Sequence, residues 1–192
     1  DLSKADDRAK LAASVPAPDI LVNNAGAIPG GNILGLTMEQ WQEAWSLKVF
    51  GYIHMTQLYL PAMMQRRSGT IVNIIGLAGV SPRWDYVCGA AGNAALIAFT
   101  RAIGGKTPES GVRVVGINPA STRTDRIIEL SKARARQRDG DDSRWEEFLS
   151  GLPFGRPAEP EEIGALTAML ASDRIAYVSG AVIDVDGGVQ FR

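Results

Sequence analysis

A doubly wound, parallel, three-layer α/β sheet is the fold class this sequence predicts, on three observations. Short apolar runs suited to strands buried on both faces recur at residues 20–22, 70–75, 113–117 and 181–185. Stretches of helical periodicity separate them, long enough for the crossovers that parallel strands need. The strands end in small or amide-rich turns, namely Asn23-Asn24-Ala25-Gly26, Gly76, Asn118-Pro119-Ala120 and Asp186-Gly187-Gly188. Ligands in such sheets sit at the carboxyl ends of the strands, so these turns are the first candidates for a site.

Composition narrows the classes further. The chain has 192 residues, 45% of them apolar, enough to bury a core as one domain spanning 1–192. A net charge of −1 gives no basic field for nucleic acid or an acidic membrane surface. The single cysteine, Cys88, excludes an internal disulfide and a cysteine metal cluster. The single histidine, His54, excludes a two-histidine metal site and leaves little room for a Ser-His-Asp triad. No run of about 18 apolar residues and no signal peptide is visible, so the expectation is a soluble cytoplasmic protein without a membrane or nucleic-acid partner.

Taken in order, residues 1–14 read as an amphipathic helix with Leu2, Ala5, Ala9 and Ala12 on one side, ended by Pro16 and Pro18. The 20–22 strand runs into two adjacent amides, which need partners because an unpaired buried polar group costs roughly 1–3 kcal/mol. Ala25 and Gly26 then remove bulk, so a ligand can approach the backbone. A Gly-rich loop covers 27–36. Thr37-Met38-Glu39-Gln40 has the form of a capping box opening a long helix to about residue 67, bent at Pro61. Ser81-Pro82 predicts the start of a helix that runs to about 103 and stops at Gly104-Gly105. Residues 122–151 are charged and arginine-rich and predict one or two short helices over the strand ends. Glu159-Pro160-Glu161-Glu162 opens another helix, with acids at its positive end.

One helix face carries a candidate. Trp41, Trp45, Lys48, Tyr52, Met55, Tyr59 and Met63 recur at spacings of three and four. Lys48 is the one charge in that apolar stripe. Such a lysine either snorkels, with its ammonium in water, or is held where its pKa shifts readily and becomes useful to chemistry. His54 lies off this face and reads as a packed or interface histidine. Cys88 reads as a small buried side chain.

Four stretches, 19–26, 69–79, 111–125 and 153–188, resemble in order the motifs of the short-chain dehydrogenase/reductase family. Asn23-Asn24-Ala25-Gly26 looks like the end of that family's fourth strand. Pro119 and Thr124 are similar to its Pro-Gly…Thr segment, with Ala120 in place of the glycine. Leu152-Pro153-Phe154-Gly155-Arg156, Pro160-Glu161-Glu162-Ile163 and Asp184-Val185-Asp186-Gly187-Gly188 resemble its C-terminal signature. The resemblance implies a Rossmann-like fold, NAD or NADP as cofactor, a small-molecule substrate that is a secondary alcohol or ketone, and a homodimer or homotetramer. It implies cofactor contacts from Asn23, Asn24, Ala25, Gly26, Asn93, Pro119, Ala120 and Thr124, and a substrate lid at about 123–152.

Two departures stand out. Asp1-Leu2 resembles the pair that follows the family's third strand, so the first three strands and the Gly-rich turn Thr-Gly-x-x-x-Gly-x-Gly have no counterpart in the sequence. Either the chain is part of a longer polypeptide, which is favoured, or the natural product is truncated. Without the family's first strand, the 20–22 strand would be left as an apolar edge. The residues that decide between NAD and NADP lie in the part without a counterpart. The second departure is catalytic. The family uses Ser, Tyr, a Lys four residues later and an Asn on the long helix. The lysine matters because an unassisted phenol near pKa 10 is a poor base at neutral pH. Aligning Asn93-Ala94-Ala95-Leu96 with Lys-Ala-Ala-Leu puts Gly76, Gly89, Asn93 and Lys48 at those four positions. A second register takes Tyr86 as the tyrosine, with Ala90 for lysine. Either way Tyr86 lies two turns from Asn93 on one helix face and can point to the site from one turn earlier. The expectation is therefore a relocated catalytic pair, Tyr86 and Lys48. The competing reading is a non-catalytic relative that binds nucleotide or a partner, or a truncated remnant.

Overall fold

The computed structural model describes residues 1–191, with all side chains in the helix 125–139 except those of Arg126, Leu130, Ala133, Arg134 and Gln137. Four parallel strands, β1 (Ile20–Asn23), β2 (Gly69–Ile74), β3 (Val112–Pro119) and β4 (Val182–Val185), lie side by side in chain order. Asn23 is level with Asn73, Ile74 with Ile117, and Pro119 with Val185, so the carboxyl ends form one edge. The helices are α1 (Ala5–Ser14), α2 (Met38–Leu47), α3 (Val49–Arg66), α4 (Val87–Gly104), α5 (Asp125–Asp139), α6 (Glu147–Ser150) and α7 (Pro160–Ala171).

Strand alternation sorts the core into layers. Leu21, Ile71, Val112 and Val114 face Met55, Tyr59 and Met63 of α3. Leu96 and Ile97 of α4 pack with Tyr52 and Ile75 on the same side. Val72, Val115 and Ile117 face Ile163 and Leu170 of α7 on the other. Helices on both faces of a parallel sheet make the doubly wound, three-layer class expected from the sequence.

Four expectations need correction. The first strand is not buried on both faces. Leu21 and Asn23 point into the core, but Ile20 and Val22 remain 46% and 43% exposed, because α7 packs on β2 and β3 and β1 is the edge strand. The long helix is two helices, and the break falls at Lys48 (φ −83°, ψ −60°), while Pro61 is carried inside α3. The carbonyl of Ser46, two residues earlier, accepts from the guanidinium of Arg8 at 3.1 Å. The Thr37–Gln40 capping box forms with both of its bonds. Ser81-Pro82 does not open α4, which begins at Val87. The N–H of Gly31 donates to Asp85 and that of Val87 to Gly31 (2.8 and 3.3 Å), so residues 85–87 are pinned beside the 27–36 loop and the helix starts after that bridge. Finally, α4 is by length and composition apolar enough to cross a membrane, although half of it is buried in the core. Nine of its residues, from Cys88 to Gly104, are buried.

Candidate active site

The carboxyl ends of β1 and β2 bring four of the singled-out positions together. Lys48 leaves the break between α2 and α3 and runs past Gly26, where a Cβ would come within 2.8 Å of Lys48 Cδ. Its Nζ then donates to the carbonyl of Ile75 at 2.5 Å, one residue before Gly76. Gly76 (φ +145°) holds a conformation that favours glycine, and a Cβ there would stand 2.8 Å from Nδ2 of Asn93. The Gly76 N–H donates to Oδ1 of Asn118 at 3.4 Å, and Nδ2 of Asn118 donates to Asp184 at 2.8 Å. Asn93 is 3% exposed, and its Oδ1 has no hydrogen-bond partner among the described residues. An ammonium, two glycines and an unsatisfied amide oxygen thus share one corner.

Tyr52 lies in the same corner but is no base. Its ring is 5.9 Å from Lys48 Nζ, yet its hydroxyl donates to Ile74 at 2.8 Å and burial pushes its phenol above the ordinary value. Tyr86 is placed differently. It caps α4, is half-buried, and lays its ring over Gly89, where an added Cβ would run into the ring. Its surroundings are Ile28, Ala44 and Cys88, flanked by Trp41 and Trp45. Cys88 is buried, which pushes its thiol up, and its carbonyl accepts from Trp45 Nε1 at 3.3 Å.

The remaining candidates divide. Asn23 is turned inward: its Nδ2 donates to Oδ1 of Asn73 at 2.9 Å, and Nδ2 of Asn73 donates to Thr100 at 2.9 Å. This buried ladder ties β1 to β2 and α4. Asn24 and Gly26 are exposed and Ala25 half-buried. Ala120 donates its N–H to Val185 at 3.0 Å, fixing Pro119-Ala120 beside the end of β4. Thr124 is the exposed N-cap of α5, and its hydroxyl makes no capping bond.

Sequence reasoning missed two buried arginines. Arg8, 4% exposed, bonds Leu2 O (2.6 Å), Ser46 O (3.1 Å) and Nδ1 of His54 (3.0 Å). Arg113, 9% exposed, bonds Thr70 and the carbonyls of Leu170, Ala171, Ser172 and Val178. A signal for Arg113 did exist, an arginine inside an otherwise apolar strand.

A parallel α/β sheet whose strand ends gather amides, glycines and an ammonium is the ligand-binding end of a Rossmann-like protein. The sequence profile described as enoyl-(acyl carrier protein) reductase matches residues 4–190. The chain belongs to the short-chain dehydrogenase/reductase family. It is 31% identical over 172 residues to the 3-oxoacyl-(acyl-carrier-protein) reductase FabG of Thermotoga maritima, covering 89% of this chain and 65% of that protein. It is 31% identical over 192 residues to dehydrogenase/reductase SDR family member 6 of Rattus norvegicus, covering 98% of this chain and 76% of that one. The structure of L-sorbose reductase from Gluconobacter frateurii, complexed with NADPH and L-sorbose, superposes with a TM-score of 0.89 at 28% identity, covering 97% of this chain and 73% of the other. The chain spans about two thirds of the length of the curated relatives it matches, 65% in the case of FabG.

The residues present fit the ribose and nicotinamide half of a dinucleotide. Asn93 offers an unsatisfied acceptor, Lys48 an ammonium, and Gly26 and Gly76 a wall without side chains. Residues 1–192 contain no Gly-rich turn of the pyrophosphate-binding type.

Proposed function

We propose that this chain forms most of an NAD(P)-dependent oxidoreductase that interconverts a secondary alcohol and a ketone through a modified site. The observation that carries the reading is Lys48. Its ammonium is lodged at the carboxyl end of β2, between Gly26 and the Ile75–Gly76 backbone, where the family's strand ends receive the cofactor. When bound, the nicotinamide cofactor donates or accepts the hydride. Asn24, Ala25, Gly26, Pro119, Ala120 and Thr124 would hold its nicotinamide end and Asn93 would accept from a ribose hydroxyl, while Asn23 braces the turn from beneath through Asn73. In the reducing direction the Tyr86 phenol gives its proton to the carbonyl oxygen of the substrate. An ammonium brought up to the phenol, that of Lys48, would favour the phenolate left behind, because a cation close by lowers the pKa of an acid. Residues 123–152, with α5 and α6, form the substrate lid. The assembly is a homodimer or homotetramer through α3, α4 and β4, and the protein works in the cytoplasm.

Turnover of a ketone panel with NADH and NADPH tests this. Tyr86→Phe and Lys48→Met are each expected to slow it by about 10²–10⁴-fold, the span that general acid–base catalysis contributes. Full activity in either variant overturns the assignment. A second reading, a relative that binds nucleotide without turning over, is favoured by Gly76 and Gly89, which leave two of the family's catalytic positions without side chains. It predicts tight NAD(P)H binding with no turnover in the unmodified protein.

A further inference from the structure

We infer that Arg8 is a positioning residue for Lys48. It lies outside the site, on α1, and its guanidinium spans the break at which Lys48 sits. Nη1 donates to Ser46 O, two residues before Lys48, and Nε donates to Nδ1 of His54, six residues after it. Nη1 also donates to Leu2 O at 2.6 Å, which ties the clamp to the start of the chain. A helix that breaks leaves carbonyls in need of donors. Arg8 supplies one on the α2 side and grips a side chain on the α3 side, so both halves are held by one rigid planar group. Close approach makes this possible: a Cβ on Gly51 of α3 would lie 3.7 Å from Ser46 O and 3.9 Å from Leu2 O, the same carbonyls that Arg8 bonds.

Burial says why this is more than a packing detail. Arg8 is 4% exposed, and among the described residues it bonds two carbonyls and an imidazole nitrogen but no carboxylate. Burying a guanidinium without a carboxylate is a poor way to gain stability, because the desolvation penalty runs to several kcal/mol. What a forked, planar donor supplies well is fixed geometry. The geometry fixed here is the backbone of residues 46–54, from which the Lys48 side chain reaches 2.5 Å from Ile75 O. Without the clamp α2 and α3 re-register at the break, and the Nζ position is set by the lysine's own flexible stem.

The inference rests on Lys48 being the site's ammonium for its consequence in catalysis, but the placement of Lys48 can be tested without turnover. Each lysine is labelled competitively with acetic anhydride and read by mass spectrometry in the wild type and in Arg8→Met. The Lys48 rate is expected to rise about tenfold, as when a hydrogen bond from a charged donor is lost, while Lys106 and Lys132 keep their rates. Arg8→Lys restores the charge but not the fork, and falls between the two. Should Arg8→Met fail to fold, His54→Leu removes the α3 grip alone and is expected to raise the Lys48 rate by a smaller factor in the same direction. An unchanged Lys48 rate in a folded variant overturns the inference. The activity arm is a double-mutant cycle: Arg8→Met slows turnover in the wild type and adds nothing in Lys48→Met, whereas additive losses contradict the proposed coupling. If Lys48→Met is fully active, the catalytic reading fails while the labelling result still decides on the clamp.

Discussion

The two ends of the sheet each hold a cation, Arg113 buried and Lys48 half-buried, and the two are held in opposite ways. At the amino end Arg113 spends its guanidinium on five neutral acceptors: Thr70 Oγ1 and the carbonyls of Leu170, Ala171, Ser172 and Val178. It binds β2 and β3 to the carboxyl end of α7, where a positive group also meets the helix dipole favourably. At the carboxyl end the Lys48 ammonium donates to the Ile75 carbonyl, its stem runs past Gly26, and Asn93 near Gly76 holds a buried amide oxygen with no partner among the described residues. A cation whose surroundings are fully committed is structural. A cation beside an unpartnered amide oxygen and missing side chains is instead a candidate for holding a ligand.

Removing Arg113 should break the amino end outright. Arg113→Met strands several buried carbonyls, so urea unfolding is expected to show a loss of about 3 kcal/mol or more, each stranded acceptor costing ~1–3 kcal/mol. A loss under about 1 kcal/mol would mean those carbonyls find other donors. Gly89→Ala acts at the other end. Its methyl group collides with the Tyr86 ring, so the ring must move, at a cost of about 1–3 kcal/mol from overpacking together with a loss of turnover.

Two buried asparagines sharpen the contrast further. Asn23→Ala leaves Oδ1 of Asn73 without its donor and should cost about 1–3 kcal/mol. Asn93→Ala removes an oxygen that bonds nothing, so stability should change by about 1 kcal/mol or less while NADPH binding weakens about tenfold. Equal stability losses in the two would erase the distinction.

The smallest effect is electrostatic. The Arg156 guanidinium, with the Glu159 N–H, holds the Glu162 carboxyl down at about 2, from an ordinary 4.5. A depressed carboxyl contributes stability above its unfolded pKa and loses it as pH falls toward the folded one. Acid titration of Tm should therefore fall between about pH 4.5 and 2, and Glu162→Gln should flatten that limb.

The sequence made the strands legible because apolar runs and the turns after them are local signals, and all four strands lie within a residue or two of where they were expected. The Thr37–Gln40 box was equally local and forms as written. What escaped was tertiary. The break at Lys48 has no Gly or Pro to announce it and coincides with a contact from α1. The late start of α4 follows from a backbone bridge to Gly31, a residue far away in sequence. Arg8 reads as an exposed charge on an amphipathic helix, and only the packing of α1 on α3 buries it. In the site, motif order drew attention to Lys48, Gly76 and Asn93, which lie close together at the strand ends, whereas Gly89 lies under the Tyr86 ring. That Asn23 turns inward while Asn24 stays exposed depends on the parallel register of β1 with β2.

The central claim is that a phenol and an ammonium, moved from the family's usual positions, run the chemistry. Its most direct test is the single-turnover rate of NADPH oxidation by a ketone in the wild type, Tyr86→Phe and Lys48→Met, each saturated with cofactor. The account predicts a measurable rate in the wild type and a fall of about 10²–10⁴-fold in each variant with NADPH affinity retained in Tyr86→Phe. A wild-type rate that survives unchanged in Tyr86→Phe, or tight NADPH binding with no oxidation in any of the three proteins, would contradict it.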